Sequence, residues 1–164
     1  MQELSLMDIK SILEQVKDPE IPVLSIIDMG VVRHINIIDS NNIEITITPT
    51  YTGCPAMDMI SVAIKSVLID HGFRNVEVKQ ILQPAWTTDW ITEKGRSALK
   101  EYGIAPPVTA ASKWELLGDE QIAIPCPRCN SENTEMISFH GSTACKSMYR
   151  CKDCLEPFDY FKCH

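Results

Sequence analysis

The sequence predicts an α+β fold in two parts: a sandwich of helices on a three-stranded sheet, followed by a small four-cysteine metal ribbon. Three observations lead there. Apolar periodicity over residues 5–102 reads in order as helix, strand, strand, helix, strand, helix. Two Cys-x-x-Cys knuckles, Cys126 to Cys129 and Cys151 to Cys154, stand twenty-one residues apart near the end of the chain. The composition also changes at about residue 122, beyond which aliphatic residues are few and six of the seven cysteines lie. The expected domains are 1–104 for the sandwich, 105–121 for a linker containing Pro106 and Pro107, with Trp114 as its anchor, and 122–164 for the ribbon.

Each element has a local reason. Ser5 caps a first helix whose apolar residues Leu6, Ile9, Ile12, Leu13 and Val16 follow helical spacing, with Asp8 closing a capping box. The helix stops before Asp18-Pro19. Residues 21–28 are predicted to be an extended, proline-punctuated segment leading to Gly30. Strands follow over 31–38 and 43–48, joined by a hairpin at Ser40-Asn41-Asn42. In the second, Ile43, Ile45 and Ile47 alternate with Glu44, Thr46 and Thr48, so one face is buried and one is wet. Residues 56–70 read as a buried helix closed by Gly72, and residues 73–82 as a third strand. Thr87 or Thr88 caps a last helix reaching about Tyr102, ended by Gly103.

The ribbon region is too poor in apolar residues to build a core without a staple. A Cys-x-x-Cys turn aims two sulfurs at one centre, and two such turns close a tetrahedron of thiolates round one ion. Cys126, Cys129, Cys151 and Cys154 are therefore the metal ligands, and one structural zinc is expected; an iron–sulfur cluster could use the same four sulfurs. Cys145, Cys163 and His164 are surplus donors. Phe139, Tyr149, Phe158, Tyr160 and Phe161 are expected to pack behind the knuckles, and His140 to lie in the ribbon's hairpin.

Charge narrows the function. The formal net charge of −7 sits on the front part, because residues 122–164 balance five basic against five acidic residues. Without clustered Lys and Arg the chain lacks the footprint for phosphates, so nucleic-acid binding and transcriptional regulation are disfavoured. The longest apolar stretch, 60–69, is broken by Lys65 and is too short for a bilayer, so no membrane role follows. The acidic start, Met1-Gln2-Glu3, has no apolar signal run, and reduced, cytoplasmic thiols are expected. No nucleophile elbow, phosphate loop or dinucleotide fingerprint is present, which weakens any claim to independent catalysis.

Cys54 is the one cysteine of the front part, in Thr50-Tyr51-Thr52-Gly53-Cys54-Pro55 at the start of a helix. The helix dipole and unpaired backbone N–H groups there should favour its thiolate. The segment 18–30 adds Asp18, Glu20 and Asp28 among prolines and Gly30. One reading of these is turn formers and a buried cysteine. The other sets one of these carboxylates, with Thr50 or Thr52, near Cys54 as a mixed sulfur and oxygen site for transient iron or an Fe–S cargo. His34 and His71 read as surface or cap residues, and Trp86 with Trp90 as two aromatic anchors.

The blocks running from Asp18-Pro19-Glu20-Ile21-Pro22 to Gly30-Val31-Val32, and Thr48-Pro49-Thr50-Tyr51-Thr52-Gly53-Cys54-Pro55, resemble the two signatures of the metal–sulfur cluster assembly (SufT-like) family. Pro84-Ala85-Trp86-Thr87-Thr88-Asp89-Trp90, Gly103-Ile104-Ala105-Pro106-Pro107 and the ribbon's Glu156-Pro157-Phe158-Asp159-Tyr160-Phe161 extend the resemblance over nearly the whole chain. They are similar to the D-subunit family of bacterial phenylacetyl-CoA oxygenase (ring 1,2-epoxidase) systems. The resemblance implies a role in aerobic phenylacetate degradation, with oxygenase and reductase subunits as partners. It implies an accessory that helps mature metal centres, Cys54 matching the reactive cysteine and Asp28 the acidic residue of the first signature. A stoichiometric, non-catalytic component that modulates the oxygenase is the alternative. Pairing of two copies into a homodimer through the front domain stays open.

Overall fold

The structure, a computed structural model, describes residues 4–108 and 123–162. They form two compact units that divide after Thr92. The greater part of the expected linker, with Trp114, and the terminal Cys163 and His164 lie outside the described residues.

The front unit opens with α1 (Leu6–Leu13). The Ser5 hydroxyl accepts from the Asp8 N–H at 3.3 Å and the Asp8 carboxylate accepts from the Ser5 N–H at 2.8 Å, the reciprocal capping box the sequence predicts. Ile9, Ile12 and Leu13 face inward. The next segment corrects the expectation of an extended run over 21–28, because it is a series of turns. Asp18 accepts from the N–H groups of Glu20 (2.8 Å) and Ile21 (2.9 Å), the Leu24 N–H donates to Ile21, and the Met29 N–H donates to Ser25. Short polar side chains satisfy the backbone locally, and a single antiparallel bridge between Lys17 and Ser25 closes the fold-back.

Strands β1 (Val32–Ile37) and β2 (Asn42–Ile47) pair antiparallel, and the Asp39 carboxylate fixes their hairpin by accepting from the Asn41 and Asn42 N–H groups. Helix α2 (Ala56–Asp70) then crosses to β3 (Asn75–Gln80), which lies parallel to β2, giving the order β1-β2-β3. Ile43, Ile45 and Ile47 of β2, with Ile60, Ile64 and Leu68 of α2, make the core. Gly72, at φ +104°, ends α2 where a side chain would be strained.

The single helix expected between Thr87 and Tyr102 is two elements: a 3-10 turn, Thr88–Trp90, capped by Thr87, and α3 (Glu93–Tyr102). The break falls where Ile91 takes an extended conformation and buries its side chain while the Thr92 N–H donates to the Asp28 carbonyl. Tertiary contacts override helix propensity there.

Helix α3 belongs to the rear unit. It leads into β4 (Ile104–Ala105), which pairs parallel with β7 (Pro157–Phe161); β6 (Lys146–Cys151) and β5 (Thr134–Ser138) complete a sheet of order β4-β7-β6-β5. The sequence drew a boundary after residue 104; in the structure Ile104 and Ala105 are a strand of the ribbon's sheet. Ala105, Ile124, Tyr149 and Phe158 pack with Cys126 and Cys151 in one small core. Tyr160 packs against it and Phe161 is buried, but Phe139 is 57% exposed, against the expectation that all five aromatics lie behind the knuckles.

Candidate functional site

The four ribbon cysteines converge. Their sulfurs all lie within 4.8 Å of one another, with Cys126 to Cys154 at 3.7 Å and Cys129 to Cys151 at 3.6 Å. A thiolate tetrahedron with metal–sulfur bonds of about 2.3 Å has edges of about 3.8 Å, so the donor set fits one ion. The knuckles are built alike. The Cys126 N–H donates to the Ser131 carbonyl and the Cys151 N–H to the Glu156 carbonyl, both at 2.9 Å, and the residue after each second cysteine is left-handed: Asn130 at φ 60° and Leu155 at φ 64°. The Asp153 carboxylate ties one knuckle to the other through the Ser131 hydroxyl and the Asn133 amide.

Crowded thiols share their protons unequally. The Cys154 and Asp153 N–H groups hold Cys151 down to about 7. At Cys129 the Ser131 N–H pulls the same way, but desolvation and the neighbouring thiols push it up to about 12. A divalent cation removes this conflict by favouring all four thiolates. Cys126 and Cys151 are buried while Cys129 is exposed, so the ion would stand between core and solvent. Cys145 is buried apart from this cluster, with its sulfur 3.1 Å from the Thr143 hydroxyl. Among the described residues no other group of three or more Cys, His, Asp or Glu side chains converges in this way.

Cys54 sits in the front unit, just before α2, and is half-buried. Gly53, at φ +79°, turns the chain into it, and the Cys54 carbonyl accepts from the Met57 N–H at 3.3 Å. The direction of its pKa corrects the sequence expectation. Burial raises the thiol, the Ala56 N–H and the Tyr51 side chain lower it less, and the charges of Glu20 and Asp18 raise it further. Desolvation outweighs the dipole, and the resting group is a thiol.

The charges of Glu20 and Asp18 are among those that raise the Cys54 thiol. Asp28 is buried; it accepts from the Ser25 hydroxyl (2.8 Å) and the Thr92 hydroxyl (2.8 Å), tying the turn segment to the end of the front unit. Thr50 is half-buried and Thr52 exposed, and neither hydroxyl makes a hydrogen bond among the described residues. Trp86 and Trp90 are anchors as predicted. The Trp86 indole N–H donates to the Met29 carbonyl at 2.9 Å, and the Arg33 guanidinium lies 3.4 Å over the Trp90 ring. His71 bonds the Val67 carbonyl at the end of α2, and His34 is exposed on β1. Sequence reasoning missed Tyr51 as a partner of the thiol, because a contact across a loop leaves no spacing signature.

Similarity to known proteins follows the same division. Residues 6–79 match the family described as iron-sulfur cluster assembly protein, and residues 110–162 match the PaaD zinc beta ribbon domain. An Escherichia coli K12 protein, provisionally named as the D subunit of 1,2-phenylacetyl-CoA epoxidase, is 47% identical over 95% of this chain and 92% of its own length. The Bacillus subtilis Fe-S protein maturation auxiliary factor YitW is 33% identical over 60% of this chain and 97% of its own. Among solved structures, a DUF59 domain from Bacillus anthracis superposes with a TM-score of 0.53 at 29% identity, covering 57% of this chain and 89% of that one. An assembly-type front unit and a four-cysteine ribbon in one chain, with identity to the E. coli protein running through both, place the chain in the PaaD family of phenylacetyl-CoA epoxidase D subunits.

Proposed function

We propose that the protein is an accessory maturation factor of a phenylacetyl-CoA epoxidase system, assisting assembly of iron or iron–sulfur centres in the oxygenase or its reductase. Cys54 is the handling thiol. The observation that supports this most is its setting: a half-buried sulfur at a helix start, in polar company from Tyr51 and the Ala56 N–H and facing the charges of Asp18 and Glu20. A sulfur sealed in hydrocarbon could not exchange a cargo. Because the resting group is a thiol, loading a cation forms a sulfur–metal bond and releases the proton to solvent, so cargo is held less well as pH falls. In this reading Asp28, Thr50 and Thr52 are supports: Asp28 holds the turn segment that carries Asp18 and Glu20, and the two threonines flank the loop. The ribbon keeps its own ion permanently, as one structural zinc, and presents a stable surface to the client.

The test is to co-express the oxygenase and reductase with the wild-type chain or with Cys54→Ser and measure their iron and sulfide. Lower loading with the variant is expected; equal loading overturns the reading. The E. coli relative's name as a subunit favours a second reading, a stoichiometric component that modulates the oxygenase. Added to an already loaded oxygenase, such a component would change the rate at once, whereas a maturation factor would not.

A further inference from the structure

The front unit contains a groove of about 460 Å³ whose lining includes neither Cys54 nor the turn segment. Ile43 of β2 and its neighbours Val76 and Val78 of β3 line it, with Ile38 and Ile69 beside them. Ile38 is 60% and Ile69 52% exposed, so the groove leaves aliphatic surface in water. Two cations also line it, Lys65 of α2 and Arg74 just before β3, together with one acid, Glu77, which alternates with Val76 and Val78 and so projects its side chain to the far face of β3. Among the described residues neither side chain has a carboxylate or hydrogen-bond partner, in a chain whose net charge is −7. By contrast Lys79, on the opposite face of β3, is held by Glu44.

Beside the groove runs the outer edge of β3, which among the described residues is the last strand of its sheet. The N–H groups of Asn75 and Ile81 donate to Asn41 and Ile47 at 2.9 Å. By the alternation of a parallel pair, the N–H and C=O groups of Val76, Val78 and Gln80 point away from β2. A row of backbone donors and acceptors next to an apolar groove is how an extended peptide is captured as an added strand.

We propose that this edge and groove take an acidic, extended segment of another protein as a fourth strand. Side chains of such a strand alternate between faces. On the groove face an aliphatic residue covers Ile69, Val76 and Val78, and carboxylates flanking it reach Lys65 and Arg74. On the other face exposed Glu77 repels acidic residues, so uncharged side chains are wanted there. A second copy of this chain is a poorer occupant, because its own β3 carries one acid, Glu77, and one base, Lys79, and so is not an acidic segment.

The probe is a fluorescently labelled peptide, Glu-Thr-Val-Thr-Val-Thr-Glu, titrated into the full chain. Saturable binding that weakens with salt is expected. It should fall about 10-fold for the double variant Lys65→Glu, Arg74→Glu, and likewise for a peptide with Lys in place of Glu. Methylating the peptide's edge-facing backbone nitrogens should abolish it, and amide exchange at Val76, Val78 and Gln80 should slow when peptide is bound. Circular dichroism checks that the exposed substitutions leave the fold intact. The proposal is overturned by no saturable binding at millimolar peptide, by equal affinity for the Lys and Glu peptides, or by indifference to methylation. It is also overturned if light scattering shows a dimer that the same two substitutions dissociate, since the groove then belongs to a second copy. The proposal does not rest on the role of Cys54, and Cys54→Ser should bind the peptide as the wild type does.

Discussion

The front unit and the rear unit reach stability by different means. The front unit buries a continuous aliphatic set, from Ile9 and Leu13 through Ile45 and Ile47 to Ile60, Ile64 and Leu68. The small core of the rear unit includes Cys126 and Cys151, two of the four cysteines whose sulfurs converge, beside Tyr149 and Phe158. Burial is spread over many contacts and falls away gradually when one is lost, whereas coordination is concentrated in four bonds. The difference separates roles as well. The four sulfurs that converge to suit an ion lie in the rear unit, and the sulfur proposed to handle a cargo lies in the front unit.

Removing the metal should break the comparison most sharply. Structural zinc supplies about 10–16 kcal/mol of apparent folding energy in small metal domains, so chelation or Cys151→Ser should unfold the rear unit. Front-unit amides should keep their protection in a hydrogen-exchange experiment; loss of protection in both units would mean that they do not fold independently. The reciprocal change is Ile64→Ala, which empties a fully buried site and should cost about 2–5 kcal/mol. Denaturant titration should detect that loss while zinc content stays unchanged.

Gly30→Ala probes a tighter constraint. Gly30 is left-handed at φ +74°, and an added Cβ would stand 2.5 Å from the Trp90 carbonyl oxygen. Strain alone costs about 1–3 kcal/mol, and Trp90 fluorescence should report its displacement. In the rear unit Leu155→Gly should act in the opposite sense, relieving a left-handed leucine at φ 64° and stabilising the ribbon by about 1 kcal/mol, seen as slower zinc loss to a chelator.

The smallest effect on stability is expected at Cys54, where a change to Ser should stay within about 0.5 kcal/mol. Its chemistry is more informative. The folded thiol is raised, so whatever stability its protonated form contributes is fully present below the unfolded pKa and is lost as pH rises through the folded one. Alkylation of Cys54 in the apo chain should accordingly have its pH midpoint above that of an unstructured cysteine. A midpoint below it would restore the dipole-activated thiolate that the sequence suggested.

The sequence by itself determined what depends on spacing. Helical periodicity with Ser5 and Asp8 located α1, alternation at Ile43, Ile45 and Ile47 located β2, and two Cys-x-x-Cys turns named the four cysteines whose sulfurs the structure gathers within 4.8 Å. Only the tertiary structure decided what depends on contacts distant in sequence. It turned residues 21–28 into loops satisfied by Asp18 and Ser25, split the last helix at Ile91 and Thr92, and gave Ile104 and Ala105 to the ribbon's sheet. It also raised the Cys54 pKa, through burial first and with the charges of Glu20 and Asp18 adding to it. The physical reason is common to these cases. Local pattern fixes which way a side chain points along its own element, but burial and the charges around it are set by neighbours that no sequence window contains.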